Sequence, residues 1–152
     1  MKRSLKVLAI LGIMLLVCSF TAVFAQGQSE AADDGKIVIG LSQRRIAGSD
    51  WWKTLVDGVQ YGAGKYGAEV IVLDANGDTV RQNVDVNTLI NRNVDAIIIN
   101  ANDPLGLSSS IRAAKEAGIP VIAVNSALDE SLMKDIYGYV VEDQVADRKS
   151  VV

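Results

Sequence analysis

Short apolar runs alternate with helical apolar patterns along the chain from residue 36 onward. Runs rich in β-branched residues predict five strands, at residues 36–41, 69–73, 94–99, 119–124 and 135–141. Between the strands, apolar side chains recur every three or four residues, which predicts helices over 52–66, 79–91 and 104–117. Alternating strands and helices with apolar strand runs predict an α/β fold, a doubly wound parallel sheet covered on both faces.

Two predicted helix starts and one predicted helix rest on particular residues. Asn102 and Asp103 precede Pro104, which is typical of a cap followed by the first turn of a helix. Asp143 is typical of the cap of one more helix, and the sequence ends about nine residues later. The helix over 79–91 rests on five apolar positions, although four asparagines between 83 and 93 lower its intrinsic propensity. These apolar positions are Val80, Val84, Val86, Leu89 and Ile90.

Residues 1–25 have the pattern of a secretory signal peptide. A lysine- and arginine-containing start is followed by an apolar run over residues 7–17, which is too short to span a bilayer. Small residues at Val23 and Ala25 then predict cleavage after Ala25 and export to the periplasm. Polar residues 26–35 are predicted to be a flexible leader, and residues 36–152 the folded domain.

Two alternatives to a cleaved signal remain open. The apolar run could stay in place as a membrane anchor. Cys18 could instead carry a lipid, although the preceding Val17 departs from the small residue that lipoprotein signals usually have there.

Composition excludes several kinds of chemistry. The chain has no histidine, so a Ser-His-Asp triad and histidine metal sites are excluded. Its single cysteine excludes an intrachain disulfide and a zinc-thiolate cluster. Cleavage of the signal peptide removes three cations and changes the net charge from −3 to −6, which disfavours nucleic acid and anionic lipid as partners. We predict no metal, no cofactor and no catalytic residue.

Two motifs are better explained by turns than by ligands. Residues 62–67 match GxGxxG, but they end a helix, whereas a dinucleotide fingerprint opens one. Residues 74–78 resemble part of a calcium loop, but Thr79 stands where that loop needs glycine. Aspartate, asparagine and glycine are common in any strand-to-helix turn.

Ligand-binding residues are expected beyond the carboxyl ends of the parallel strands. Trp51 and Trp52 follow the first strand, and adjacent helix positions face about 100° apart. Trp52 is in phase with the apolar face, so Trp51 is predicted to face elsewhere, where an indole suits the C–H face of a sugar. Packing of both indoles is the alternative. Asn100 and Asn125 follow later strands and suit hydrogen bonds to vicinal hydroxyls, with loop capping as the alternative; for Asn102 and Asp103, capping is favoured.

The order of these features resembles the N-terminal lobe of type I periplasmic sugar-binding proteins, the ribose-binding branch of ABC-importer receptors. The resemblance spans residues 36–148 and depends on the order and spacing of six segments rather than on any one of them. They are KIVIGLS at 36–42, DWWKTLVDGVQ at 50–60, VLDAN at 72–76, VDAIIIN at 94–100, AAKEAGIPVI at 113–122 and the Val-x-Asp-Gln turn at 141–144.

The resemblance implies a lobe with flavodoxin-like strand order, which closes with a second lobe on a monosaccharide-like ligand. It implies no enzymatic activity, an ABC permease as partner and a chemoreceptor as an optional one. It places sugar-stacking roles on Trp51 and Trp52, and polar ligand contacts on Ser49 and Asn100.

This chain departs from the family pattern at three points. Asn125 and Ser126 stand where many members have Asp-Arg, which argues against ordinary ribose recognition. A longer loop with Gln43, Arg44 and Arg45 suggests a ligand with an acidic group, or else an exposed loop edge. Members are about twice as long, so a single lobe, and hence a truncated chain, is expected.

Three alternatives to a sugar receptor share this fold or follow from the length of the chain. An exported flavodoxin-like cofactor binder needs a phosphate-cradling loop, and residues 43–49 contain only one glycine. A LacI-type effector domain does not agree with a signal peptide. A non-functional truncated product is the remaining alternative.

Overall fold

A computed structural model describes residues 35–141 of the chain. The predicted signal peptide, most of the leader, Cys18 and the helix predicted at Asp143 lie outside the described residues. The strands are β1 (Val38–Gln43), β2 (Glu69–Asp74), β3 (Ala96–Asn100), β4 (Val121–Val124) and β5 (Gly138–Val140). The helices are α1 (Asp50–Lys65), α2 (Thr79–Asn91), α3 (Ser108–Glu116) and a 3₁₀ helix (Glu130–Asp135).

All five strands run parallel in one sheet with the order β2-β1-β3-β4-β5. This is the flavodoxin-like order, in which the chain reverses direction across the sheet between β1 and β3. The predicted fold class is therefore confirmed. The reversal places the carboxyl ends of β1 and β3 side by side, at the usual position of a ligand crevice.

The main apolar core lies between the sheet and helices α2 and α3. Its buried members come from strands β3 and β4, helices α2 and α3, the loops that connect them and the segment after β4. They include Val86, Leu89, Ile97, Ile99, Ile111, Ala114, Val121, Ala123 and Leu132. Helix α1 contributes two buried residues, Val56 and Ala63. Helices α2 and α3 therefore contribute equally to this core, with two buried apolar residues each.

Helix α2 approaches β1 closely because residue 40 is glycine. A Cβ atom on Gly40 would lie 2.7 Å from a methyl carbon of Leu89. Real Cβ atoms do not approach other carbons this closely, so a side chain at position 40 would force the Leu89 side chain, α2 or the strand to shift.

The apolar positions of α2 required a correction. Val80 and Val84 are 75% and 60% exposed, so the prediction that they lie on the apolar face is wrong. The buried positions are Gln82, Val86 and Leu89, spaced four and three residues apart on one stripe. The first turns of α2 therefore face the core with Gln82 and not with Val80 or Val84.

Helix α3 starts later than predicted, at Ser108, so Asn102 and Asp103 do not cap it. The Asp103 carboxylate accepts hydrogen bonds from the backbone of Leu105 and Gly106, at 3.0 and 2.6 Å. These bonds favour a turn before the helix, which confirms the loop-capping interpretation of Asp103. The 3₁₀ helix after β4 was not predicted.

Both turn interpretations of the ligand-like motifs are confirmed. Gly67 follows the end of α1 with φ 72°, the left-handed conformation that commonly ends a helix. Asp74 accepts a hydrogen bond from the Asn76 backbone at 2.9 Å, and Asp78 caps α2 through Val80 and Arg81. The aspartates of residues 74–78 therefore hold a strand-to-helix turn.

Asp85 carries a partly buried carboxyl group on α2, and its Oδ2 atom accepts no hydrogen bond from the described residues. Burial raises the pKa of Asp85, and the nearby Arg81 only partly opposes this. A raised pKa means that the folded state holds the proton more tightly than the unfolded state. The contribution of Asp85 to the free energy of unfolding is therefore fully present below the unfolded pKa of about 3.9. It is lost as the pH rises through the folded pKa.

We therefore expect Asp85→Asn to raise the thermal unfolding midpoint at pH 7 and to change it little at pH 3. Calorimetry at both pH values measures this difference. Glu116→Gln, which removes an exposed carboxyl group from α3, is the control and should leave the midpoint within about 1 °C at either pH. An Asp85→Asn midpoint below that of wild type at pH 7 would contradict the burial cost.

Candidate functional site

The carboxyl ends of three strands form one edge of the sheet. Gln43 at the end of β1 pairs in register with Asp74 on one side and Asn100 on the other. The Ala75 backbone N–H donates to the Gln43 carbonyl oxygen at 2.9 Å, which ties the loop after β2 to this edge. Residues from three separate segments of the sequence are therefore brought together here.

Gln43 shapes the loop that follows β1. Its side chain is fully buried, its Nε2 donates to the Trp52 carbonyl oxygen at 3.3 Å, and its Oε1 accepts from the Arg44 backbone at 3.1 Å. These two bonds hold the start of α1 against the end of β1. The structure thus gives Gln43 a role in loop geometry, and its predicted contact with a ligand stays a prediction.

Arg44 lies against an aromatic ring. Its guanidinium carbon is 5.3 Å from the centre of the Trp52 ring, within cation–π range. Among the described residues, Arg44 has no acidic partner within ion-pair distance. The Gly77 backbone donates to the Arg44 carbonyl oxygen at 2.6 Å, while the Arg45 side chain lies over Gly77. A backbone hydrogen bond therefore holds the main chain of Arg44, while its guanidinium contacts the Trp52 ring and no carboxylate among the described residues.

The two tryptophans differ in exposure, as the helical phase predicts. Trp51 is 51% exposed, whereas Trp52 is half-buried under Arg44. Trp51 borders a shallow cavity of about 180 Å³ with Thr54 and Leu55. Its indole is therefore available at the surface for stacking.

Ser49 precedes α1 in extended backbone geometry, but its side chain makes no capping hydrogen bond. It lines a second shallow cavity of about 430 Å³, formed by residues 46–50 and Lys53. The two cavities lie at the start of α1, so the first turn of this helix has open space around it.

Asn100 ends β3 and is fully buried. Its Oδ1 accepts a hydrogen bond from the Ser126 hydroxyl at 2.5 Å. Its Nδ2 finds no hydrogen-bond partner among the described residues. A buried amide donor without a partner costs about 1–3 kcal/mol, which a ligand oxygen would recover.

Asn125 follows β4 with φ 61°, a left-handed conformation that asparagine tolerates better than most residues. Its backbone donates to the Val140 carbonyl oxygen at 2.8 Å, and no side-chain hydrogen bond to the described residues is present. The turn brings the next residue, Ser126, to Asn100. Ser126 was missed as a site residue, because a lone serine after a strand carries no distinguishing pattern.

Gln82 was also missed. Its amide lies beneath the ends of β1 and β3 and bonds to the backbone of Ser42, Asn100 and Asn102. The available signal was its spacing, because a glutamine four and seven residues before the core positions Val86 and Leu89 lies on the same helix face and must find buried partners. Asn102 itself donates to the Gly77 carbonyl oxygen and the Thr79 hydroxyl, both at 2.9 Å, which confirms its loop-capping role.

Metal-binding and membrane-spanning features were searched within residues 35–141. No group of three or more histidine, cysteine, aspartate or glutamate residues in this range could hold a metal ion. No helix in the same range is long and apolar enough to cross a membrane.

A family model described as a periplasmic binding protein domain matches residues 39–146, which is most of the chain. The chain belongs to this family. The match begins within β1 and includes every strand and helix of the described fold. The periplasmic binding protein domain thus accounts for the parallel sheet, and the recognised resemblance is confirmed.

Curated relatives in this family are binding proteins. The ribose import binding protein RbsB of Bacillus subtilis is 28% identical over 137 residues, which cover 90% of this chain and 45% of the relative. A xylitol-binding protein of Mycolicibacterium smegmatis is 40% identical over 78 residues, which cover 51% of this chain and 22% of the relative. The chain spans less than half the length of these relatives.

Solved periplasmic binding proteins show the same fold. A Mycobacterium smegmatis ABC transporter solute-binding protein with bound glycerol is 38% identical, with a TM-score of 0.60 over 63% of this chain and 33% of its own. A solute-binding protein of Bacillus halodurans with bound myo-inositol is 30% identical, with a TM-score of 0.62 over 71% of this chain and 37% of its own.

Proposed function

We propose that this chain provides one lobe of the substrate-binding component of an ABC-type sugar importer. The carboxyl edge of its sheet would contact a monosaccharide-like or polyol ligand. The observation that carries the proposal is the buried Nδ2 donor of Asn100, which has no partner among the described residues. Asn100 pairs in register with Gln43, the residue before Arg44. A buried donor at the end of β3 suits a ligand oxygen, and the exposed indole of Trp51 suits an apolar ring face.

The comparisons support the same ligand class. Relatives are named for ribose and xylitol, and related solute-binding proteins hold glycerol and myo-inositol. These molecules share several hydroxyl groups on a short carbon chain or ring. We propose Ser49, Trp51, Trp52, Asn100 and Asn125 as direct contacts, with Gln43 and Arg44 at the first loop.

The proposal includes location and partners. Export through the signal peptide predicted at residues 1–25 would place the protein in the periplasm, where it delivers ligand to ABC permease subunits. A chemoreceptor is an optional second partner. Binding without chemical conversion of the ligand is the expected activity.

Intrinsic tryptophan fluorescence tests the proposal, because the 152-residue chain has two tryptophans and both, Trp51 and Trp52, lie at the candidate site. The probes are D-ribose, xylitol, myo-inositol and glycerol, each titrated to 10 mM. D-glucuronate is added because Arg44, which has no acidic partner among the described residues, would hold its carboxylate. We expect a saturable change with at least one probe and a dissociation constant below about 1 mM, roughly −4 kcal/mol. No response to any probe would overturn the proposal.

A further inference from the structure

Gln82 is a fully buried polar residue in the core-facing stripe of α2. Burying an amide without hydrogen bonds costs several kcal/mol, so its partners explain why it is tolerated there. All of these partners lie at the carboxyl edge of the sheet rather than in the helix itself.

The partners fix the orientation of the amide. Nε2 donates to the carbonyl oxygen of Asn100 at 2.9 Å and to that of Ser42 at 3.4 Å. Oε1 accepts from the Asn102 backbone at 2.9 Å. Carbonyl oxygens cannot face an oxygen, and an N–H cannot face an NH₂ donor, so the opposite orientation would lose all three bonds.

These bonds join the segments that carry the candidate ligand contacts. The register between β1 and β3 ends at the pair Gln43 and Asn100. Gln82 adds hydrogen bonds around this pair. It bonds to Ser42 near the end of β1, to Asn100 at the end of β3, and to Asn102 in the loop after β3. The Gln82 side chain thus fixes the ends of β1 and β3 relative to each other. It also holds the backbone of Asn100, whose Nδ2 donor has no partner among the described residues.

We infer that Gln82 is a positioning residue for ligand binding, acting through the backbone of Ser42, Asn100 and Asn102 without touching the ligand. The inference rests on the proposed function of the carboxyl edge. Losing the three bonds would let the strand ends shift, and the Asn100 donor would no longer meet the ligand oxygen at a productive distance.

The first variant is Gln82→Met, which keeps the length of the side chain and removes its hydrogen bonds. Its matched control is Asn83→Ala on the same helix. Asn83 donates to the carbonyl oxygens of Thr79 and Gly106 and accepts from the Ser110 hydroxyl, so it links α2 to α3 without contacting the edge. Both variants lose side-chain hydrogen bonds, but only the first loses bonds to the strand ends.

Affinity is measured by calorimetry at 15 °C, below the unfolding midpoint of each variant, with the tightest-binding of D-ribose, xylitol and myo-inositol. We expect Gln82→Met to weaken binding at least tenfold with unchanged stoichiometry. Asn83→Ala should stay within twofold of wild type. Equal affinity in wild type and Gln82→Met overturns the inference and leaves the proposed function intact. No binding by wild type overturns the proposed function, and the inference with it.

Gln82→Glu provides a second readout, which a merely stabilising residue would not move. A protonated glutamic acid can donate through its O–H to Asn100 and accept through its carbonyl from Asn102, whereas a carboxylate would face two carbonyl oxygens. Burial should raise the pKa of this new carboxyl group. Its affinity should therefore recover toward the wild-type value between pH 8 and pH 5.

Wild type is the control for this pH dependence. The chain has no histidine, and other carboxyl groups, such as Asp85 on the same helix, titrate in both proteins. We expect at least a fivefold gain for Gln82→Glu and less than twofold for wild type across this range. A flat profile for Gln82→Glu at reduced affinity would overturn the inference, even if Gln82→Met fails to fold.

Discussion

Gly40→Ala is expected to destabilise the protein by about 2 kcal/mol. The added Cβ would lie 2.7–2.8 Å from both terminal methyl groups of Leu89, which is fully buried beneath β1. Strand β1 is paired on both sides and the Leu89 side chain is fully buried, so neither can shift without disturbing other packed residues. The free energy of unfolding, measured by urea titration, reports the loss.

A double-mutant cycle separates this clash from the general cost of altering a strand. Leu89→Ala alone should cost about 2–5 kcal/mol, because it leaves a cavity. In that background the added methyl group enters empty space, so Gly40→Ala should cost less than about 0.5 kcal/mol. Equal costs of Gly40→Ala in both backgrounds would show that Leu89 is not the obstacle.

Gly58→Ala is the matched control for the glycine itself. Gly58 lies in α1 with nothing within 4 Å of a Cβ position. Alanine in an open helical site should stabilise the protein by roughly 0.5–1 kcal/mol, because it restricts the unfolded chain. The same substitution is therefore expected to have opposite signs at positions 40 and 58.

The fold was predictable because its signals are local and repeated. Apolar β-branched runs identified all five strands, and the helix over 79–91 was placed at its observed bounds. The errors arose where tertiary contacts outweigh local pattern. Val80 and Val84 are apolar yet exposed, and α3 starts late because Asp103 holds a turn.

The exposed and strand-end residues of the candidate site were predictable, whereas the buried side chains that hold Asn100 were not. Helical phase separated exposed Trp51 from half-buried Trp52, and strand ends indicated Asn100. The contacts of Ser126 and Gln82 with Asn100 join residues 26 and 18 positions apart, and no local pattern encodes such pairs. Their partners became visible only when the strand order was known.

The two tryptophans allow stacking to be separated from packing. Trp52 is half-buried with Arg44 on its ring, so its removal would alter both stability and the loop. Trp51 is 51% exposed beside a shallow cavity, so its removal should cost little stability. Substitution of Trp51 is therefore the cleaner test of the proposed sugar platform.

Trp51→Ala is expected to weaken binding of the tightest polyol or sugar probe about 30-fold, roughly 2 kcal/mol, while the unfolding midpoint changes by less than about 2 °C. The large flat indole is lost, whereas the buried donors at the strand ends stay in place. Trp51→Phe should recover most of the affinity, because a smaller ring still covers the apolar face of a sugar.

Isothermal calorimetry measures these affinities without relying on the fluorophore that is removed. Tyr66→Ala, at the far end of α1 and 86% exposed in wild type, is the control and should bind as wild type does. Unchanged affinity in Trp51→Ala would mean that the ligand is held by the strand-end donors alone.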